Sequence, residues 1–457
     1  MASITLRQAA RWCGGTIDEK YGEVTFLGAG NDSRGIQPGQ LFVALQSARD
    51  GHDFIPQAME QGAAACLCSR RVGDFPAIYV EDPRKALGDI AREELKRIGA
   101  KVVAVTGSVG KSTTKEMIAA VLEGAYRVAK TPANHNNDIG MPMAILAMPQ
   151  DTEVAVLEMG MNHFGEIAYL SSIGHPDVAV IVNIGTAHIE FLGSQEGIRS
   201  AKMEIVQGMS DKGMLLLSGD DLLLRNLEEK PSQRITYFGK SEGCDVRGFD
   251  IRQEGEYLRF RAEAGRLSIP VELMLEGEHY VADALAAIAV ALKLMVPTDK
   301  IGENLSHFHN LSGRQEIFKA KGYTIIKDCY NAGPESMAAA LNVLGNKPGR
   351  KIAVLGDMLE LGDCTQAEHY RIGRIAAEKA DLVFAYGKHA ARVKDGTITG
   401  GMPETKGMAF ENQDELVTTL KRMAKPGDVL LFKASRGVHL ERVLEAFLEN
   451  SEKNECG

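Results

Sequence analysis

The run VAVTGSVGKSTT, residues 103–114, constrains this 457-residue chain more than any other stretch. An apolar segment at 102–105 breaks into a glycine-bracketed loop, and helical spacing then runs over 112–122. A loop between a buried strand and a helix turns its N–H groups inward, which makes a cradle for phosphate. In that reading Thr106, Gly107, Ser108, Val109, Gly110, Lys111, Ser112 and Thr113 surround a nucleotide. Lys111 reaches the β- and γ-phosphates and the Ser112 hydroxyl ligates Mg²⁺. The spacing is irregular, because a formal phosphate loop has glycine five residues before Gly110, where this chain has Val105 followed by Thr106-Gly107. A tight turn with a solvated lysine is the plainer alternative. Two glycines, a lysine and two hydroxyls in one strand-to-helix turn favour phosphate.

The length suggests about three domains at roughly 150 residues each. With 44% hydrophobic and 25% charged residues the composition is that of an ordinary globular protein. A net charge of −9 argues against nonspecific nucleic-acid binding, so anionic substrates must be met by local clusters of Arg, Lys and backbone N–H groups. The start MASITLRQAARWCGG lacks an apolar core, and no apolar segment is long enough to cross a bilayer; a cytosolic protein without membrane insertion is expected. The seven cysteines, Cys13, Cys66, Cys68, Cys244, Cys329, Cys364 and Cys456, are scattered without a CxxC pair and read as reduced thiols.

The pattern predicts an α/β protein in three parts. Residues 1–99 alternate short strands and helices and carry NDSRGIQPGQLFVAL and DGHDF, a small α/β module. Ser33 and Arg34 fall in a turn near a strand edge, where they could hold a nucleotide or serve merely as a polar loop. Residues 100–313 alternate apolar runs at 102–105, 154–157 and 178–182 with helices, the rhythm of a mostly parallel sheet covered on both faces. An alanine-rich helix over 279–294 should pack on it. Residues 314–457, with strands at 323–326, 352–355, 382–385 and 429–432, form a Rossmann-like unit lacking GxGxxG, so nicotinamide binding is unsupported. The tail 450–457 is polar and expected to fray.

Chemistry belongs at the C-terminal ends of the parallel strands. Glu158 and His188 both fall there, on the edge that holds the phosphate loop, and Mg²⁺ on nucleotide phosphates wants a carboxylate among few protein ligands. A helix cap and a structural histidine are the bland readings. The loop 131–142, TPANHNNDIGMP, offers Asn136 and Asn137 as neutral donors and acceptors, or is polar through exposure alone. Lys202, on the helix after the histidine loop, reads by itself as a surface lysine. Arg314, Asp328 and Asn331 flank the start of the third part, where an interdomain cleft would close; Lys433, Ser435 and Arg436 follow its last strand.

Taken in order, DSR, LFVAL…DGHDF, TGSVGKSTT, NHNNDIGMP, LEMGMNHFGEI, NIGTAHIEFLGS, GR, DCYNAGPESM, VLGDMLELGD and KASRG resemble the Mur ligase family over nearly the whole chain. Within it they are most similar to the member that adds D-alanyl-D-alanine to UDP-N-acetylmuramoyl-tripeptide. The resemblance implies an ATP-dependent ligase of peptidoglycan precursor synthesis that works through an acyl phosphate, as a cytoplasmic monomer. Residues 1–99 would bind the UDP-sugar through Ser33 and Arg34, residues 100–313 ATP, and residues 314–457 the dipeptide, with Asn331 and Ser435 on that side. Lys111 matches the phosphate-binding lysine, Ser112 and Glu158 the ligands of one Mg²⁺, and His188 a ligand of a second. Lys202 matches a lysine carried as a CO₂-derived carbamate, which would turn a metal-repelling ammonium into an anion. Lys111, His188 and Lys202 are then the catalytic set, with Asn136, Asn137, Asp283, Arg314 and Asp328 on the nucleotide. Departures from the family pattern are Tyr280 and Asp283 in place of two asparagines, Lys327 for aspartate, Gly333 for asparagine, Ala434 for glycine, and Ser218-Gly219 for Asn-Ala. Those at 280 and 283 bear on adenine binding. A sibling amino-acid or folate-type ligase, a nucleotide-gated binding protein and a degenerate scaffold are the alternatives.

Overall fold

The computed structural model describes residues 3–310 and 313–449; the tail expected to fray and Cys456 lie outside them. Among the described residues three large sheets follow one another along the chain, as the alternating pattern requires, beside a two-stranded pairing of Ile4–Thr5 with Thr25–Phe26. The first has five strands in the order Thr16–Ile17, Ala77–Tyr79, Ala65–Cys68, Leu41–Val43 and Ala29–Gly30. It is parallel except where Thr16–Ile17 joins. Helix Pro83–Ile98 leaves this sheet, started by the Asp82 side chain and Pro83 and ended by Gly99 at φ +73°. It docks the N-terminal module on the central one, for a single apolar core runs from Ile4 and Leu67 through Leu87 and Ile90 to Leu157 and Ile205.

The central sheet has nine strands. Val178–Ile181, Lys101–Thr106, Val154–Glu158 and Val128–Lys130 lie side by side and parallel. Their unbroken apolar character has a physical reason. Val102, Ala104, Ala155, Leu157, Ala179 and Ile181 enter the core on one face. Val103, Val105, Val154, Val156, Val178 and Val180 enter the core on the other. Beyond Met214–Ser218 and Arg234–Gly239 the sheet turns antiparallel through Val246–Glu254, Tyr257–Ala264 and Leu267–Leu273. In Tyr257–Ala264 exposed and buried residues alternate, the mark of a sheet with one wet face. The alanine-rich helix is Tyr280–Lys293, and Val281, Leu285 and Ile288 bury completely against the second core.

The C-terminal sheet has six strands, parallel apart from the edge strand Glu316–Ala320. Ala353 and Leu355 face one apolar cluster, Ile352 and Val354 another, so helices cover both sides. The whole is a three-part α/β protein with a mostly parallel central sheet, as the pattern predicts. Among the described residues no helix is long and apolar enough to cross a membrane. The six described cysteines are free thiols.

Leu285 is fully buried. Leu285→Ala should lower stability by about 2–5 kcal/mol through lost burial and the cavity left behind, read as a lower urea midpoint.

Candidate active site

Strand order gathers the site. Lys101–Thr106 lies between Val178–Ile181 and Val154–Glu158, so the phosphate loop emerges flanked by the histidine loop and by Glu158. Gly110 sits at φ +87°, and a Cβ there would come within 2.6 Å of Asp283 Oδ1, so two independent constraints require glycine. The loop is braced by Asn183, whose Oδ1 accepts from Ser108 N (3.1 Å) and Val109 N (2.9 Å) while its Nδ2 donates to Val109 O (2.9 Å). Lys111 Nζ donates to the carbonyls of Gly107 (2.7 Å) and Ser108 (3.2 Å), and burial lowers its pKa, opposed by Glu158.

Glu158 is buried. Its Oε1 accepts from Asn136 Nδ2 (2.8 Å), its backbone N–H donates to Thr131 Oγ1 (3.0 Å), and its Oε2 has no hydrogen-bond partner. An acceptor left unpaired in a protein interior fits a cation held there. Among the described residues no group of three or more His, Cys, Asp or Glu is arranged to hold a metal alone. Mg²⁺ bound chiefly to nucleotide phosphates needs only one or two protein ligands, and Ser112 with Glu158 meets that requirement.

The C-terminal unit reaches across. Arg314 Nη2 donates to Ser112 Oγ (3.0 Å) while the guanidinium lies 4.3 Å from the Tyr330 ring centroid. Thr186 N and Oγ1 donate to Glu335 Oε1 at 3.0 and 3.1 Å. His188 Nδ1 lies 2.7 Å from Glu360 Oε2, and that close polar contact lowers the Glu360 pKa. Lys433 Nζ donates to Asp328 Oδ2 (2.6 Å) and to Asn331 O (3.0 Å).

These groups line one cleft of about 1170 Å³. It gathers Ser108, Val109, Gly110, Lys111, Ser112, Thr113, Asn136, Asn137, Glu158, His188, Asp283, Arg314, Asp328, Asn331 and Ser435. Thr106 ends the strand beneath, Gly107 follows it, and neither lines the cleft. Ser33 and Arg34 lie elsewhere: Ser33 Oγ donates to Gln57 Oε1 (2.8 Å), and the exposed Arg34 pairs with Asp32. The plain reading of Lys202 as a surface lysine is corrected. It is 1% exposed, and burial, reinforced by the nearby charge of Lys111, holds its pKa well below the usual lysine range.

Asn183, Glu335, Glu360 and Lys115 were not singled out from the sequence. Asn183, Glu335 and Glu360 nonetheless fall inside the NIGTAHIEFLGS, DCYNAGPESM and VLGDMLELGD stretches, and Lys115 stands one helical turn after Lys111. The Asp283 carboxylate is matched to a hydroxyl, accepting from Thr114 Oγ1 at 2.7 Å, and Tyr280 OH accepts from Asn310 Nδ2 at 2.7 Å.

Family models cover the three parts in turn. The Mur ligase family catalytic domain matches residues 23–95, the Mur ligase middle domain 105–291, and the Mur ligase glutamate ligase domain 313–436. The chain belongs to the Mur ligase family and is an ATP-dependent amide ligase. It is similar to the UDP-N-acetylmuramoyl-tripeptide–D-alanyl-D-alanine ligase of Bacillus subtilis, at 40% identity over 98% of this chain and 99% of that one. Among solved structures it is similar to MurF from Acinetobacter baumannii, with a TM-score of 0.91 and 33% identity over 98% and 100% of the two chains. It is also similar to MurF from Thermotoga maritima in complex with ADP, with a TM-score of 0.82 and 33% identity over 92% and 97%.

Burial pushes the Asp283 pKa from 3.8 up to about 7, against the Thr114 hydroxyl and Arg314, which both lower it. The folded chain thus keeps a proton that the unfolded chain releases at lower pH, so this group's contribution to stability falls as pH rises from 3.8 to about 7 and is flat above. Asp283→Asn should raise Tm at pH 8 by on the order of a few °C. The gain should vanish toward pH 4; a gap that does not change with pH would contradict the assignment.

Proposed function

We propose that the chain joins D-alanyl-D-alanine to UDP-N-acetylmuramoyl-tripeptide with cleavage of ATP to ADP and phosphate, in cytoplasmic peptidoglycan precursor synthesis. The observation that carries this reading is the single cleft in which the phosphate loop, the unpaired Glu158 oxygen and the C-terminal Arg314, Asp328 and Lys433 meet. The full-length similarity to ligases of that name supplies the substrates.

In the first step the tripeptide carboxylate attacks the γ-phosphorus of ATP and the bond to ADP breaks. The dipeptide amine then attacks the acyl phosphate carbon, and phosphate leaves as the amide forms. Lys111 and the N–H groups of the loop hold the phosphates, and Arg314 adds a cation from the other domain. Asp328 faces the ribose and Asp283 the base side, while Asn136 and Asn137 present amides, Asn136 orienting Glu158. Ser33 and Arg34 hold the UDP-sugar; Asn331 and Ser435 stand on the dipeptide side.

Ser112 and Glu158 would hold one Mg²⁺ and His188 a second, and these ions, when bound, spread charge from the transferring phosphoryl group. Lys202 is read as the carbamate. Its lowered pKa leaves free amine able to add CO₂, with loss of one proton, and the resulting anion replaces repulsion from Lys111 by attraction.

Phosphate release from ATP should require Mg²⁺, the UDP-muramoyl tripeptide and D-alanyl-D-alanine together, with a product heavier by one dipeptide less water. Release indifferent to the dipeptide would instead indicate a sibling ligase or a nucleotide-gated binding protein. Lys111→Ala should cut turnover by about 10²–10³-fold or more with an unchanged circular dichroism spectrum; wild-type rates would sink the assignment. With ¹³C-bicarbonate, the wild-type protein should show a carbamate carbon resonance that is missing from Lys202→Ala. A signal of equal strength in both would place the carbamate elsewhere.

A further inference from the structure

Lys115 is fully buried beside the site and has no part in the chemistry described above. It lies in helix Lys111–Leu122, which begins at the phosphate loop, and its ammonium is surrounded by four acceptor groups. Nζ donates to the carbonyls of Thr131 (2.7 Å) and Ala133 (3.4 Å). It lies 3.1 Å from Glu116 Oε1 and 3.7 Å from Glu158 Oε2. The second of these is the oxygen without a hydrogen-bond partner.

We propose that Lys115 is a positioning residue that fixes the Glu158 carboxylate, and the asparagine loop beside it, in the arrangement that receives Mg²⁺. The inference rests on the reading of Glu158 as a metal ligand. Three links tie the group together. Thr131 offers its carbonyl to Lys115 and its hydroxyl to the Glu158 backbone N–H, so one residue serves both ends. Asn136, a few residues on, donates to Glu158 Oε1 at 2.8 Å. The Asn136 carbonyl accepts from Gly160 N at 2.8 Å, and a Cβ on Gly160 would come within 2.9 Å of the Asn136 amide, so strand end and loop are clamped with little slack.

A lysine beside a metal ligand could equally repel the metal, and here the charges decide. Glu116 faces Lys115 at 3.1 Å through one oxygen and Lys130 at 2.5 Å through the other. Lys115 thus has a carboxylate partner other than Glu158, shared with Lys130. The hydrogen bonds of Nζ go to Thr131 and Ala133, and at 3.7 Å the Glu158 oxygen keeps its lone pairs free. What remains is orientation. Loss of a group that orients a metal ligand typically weakens metal binding by about 10–100-fold.

The test is Mn²⁺ binding to the full-length, ADP-saturated protein, read from the electron paramagnetic resonance signal of free Mn²⁺, with ADP affinity in EDTA measured alongside. Lys115→Met should weaken Mn²⁺ by about 10–100-fold while metal-free ADP affinity stays within about threefold. Lys115→Gln, which keeps a donor for the Thr131 carbonyl but loses the charge facing Glu116 and Glu158, should show a smaller loss in the same direction and covers the case in which the methionine variant does not fold. Glu158→Gln is the reference. If it weakens Mn²⁺ and the folded Lys115 variants do not, or if they bind Mn²⁺ more tightly, the positioning role is overturned and the metal reading of Glu158 stands. If Glu158→Gln binds Mn²⁺ as wild type does, the metal reading itself fails and the role of Lys115 fails with it.

Discussion

An excess of buried positive charge at one end of the central sheet governs this molecule. Lys111 and Lys202 both have lowered pKa values through burial, Lys111 further depresses Lys202, and Arg314 comes in from the C-terminal unit to press on Lys111. Glu158 is the carboxylate that answers Lys111. In a chain of net charge −9 such a concentration of cations is local, and it suits anions such as the phosphates of ATP. Strand order explains why these groups meet, because Glu158 ends one of three adjacent parallel strands and Lys111 and His188 start the helices that follow the other two at the same edge.

The two flanking units are attached by different physics. The N-terminal module shares one apolar core with the central sheet, reinforced by the Arg84–Asp138 ion pair at 2.8 Å. The C-terminal unit keeps its own two apolar clusters and meets the centre through polar contacts: Arg314 with Ser112, Glu335 with Thr186, Glu360 with His188. Polar contacts of this kind part more readily than a continuous core.

Much of this was legible in residues. The strand–loop–helix around Lys111 is local, and so are the apolar runs that become parallel strands, so the fold class and the placement of Glu158 and His188 at strand ends follow from short windows. What was not legible depends on distant partners. Lys202 looks solvated because helical spacing does not say which face another layer will cover. Asp283 meets Thr114 across 169 residues and Arg314 meets Ser112 across 202. The departures at 280 and 283 gain meaning only from Asn310 and Thr114, their hydrogen-bond partners in the folded chain. The antiparallel extension from Val246–Glu254 onward alternates in exposure but pairs through register, which no single strand reveals.

The central claim is that ATP activates the tripeptide carboxylate directly. The most direct test is to label that carboxylate with ¹⁸O, run the complete reaction, and weigh the released phosphate. Transfer through an acyl phosphate predicts one ¹⁸O atom in each phosphate formed, with the other ¹⁸O atom kept in the new amide carbonyl. Phosphate free of label, with both oxygens accounted for elsewhere, would contradict the account.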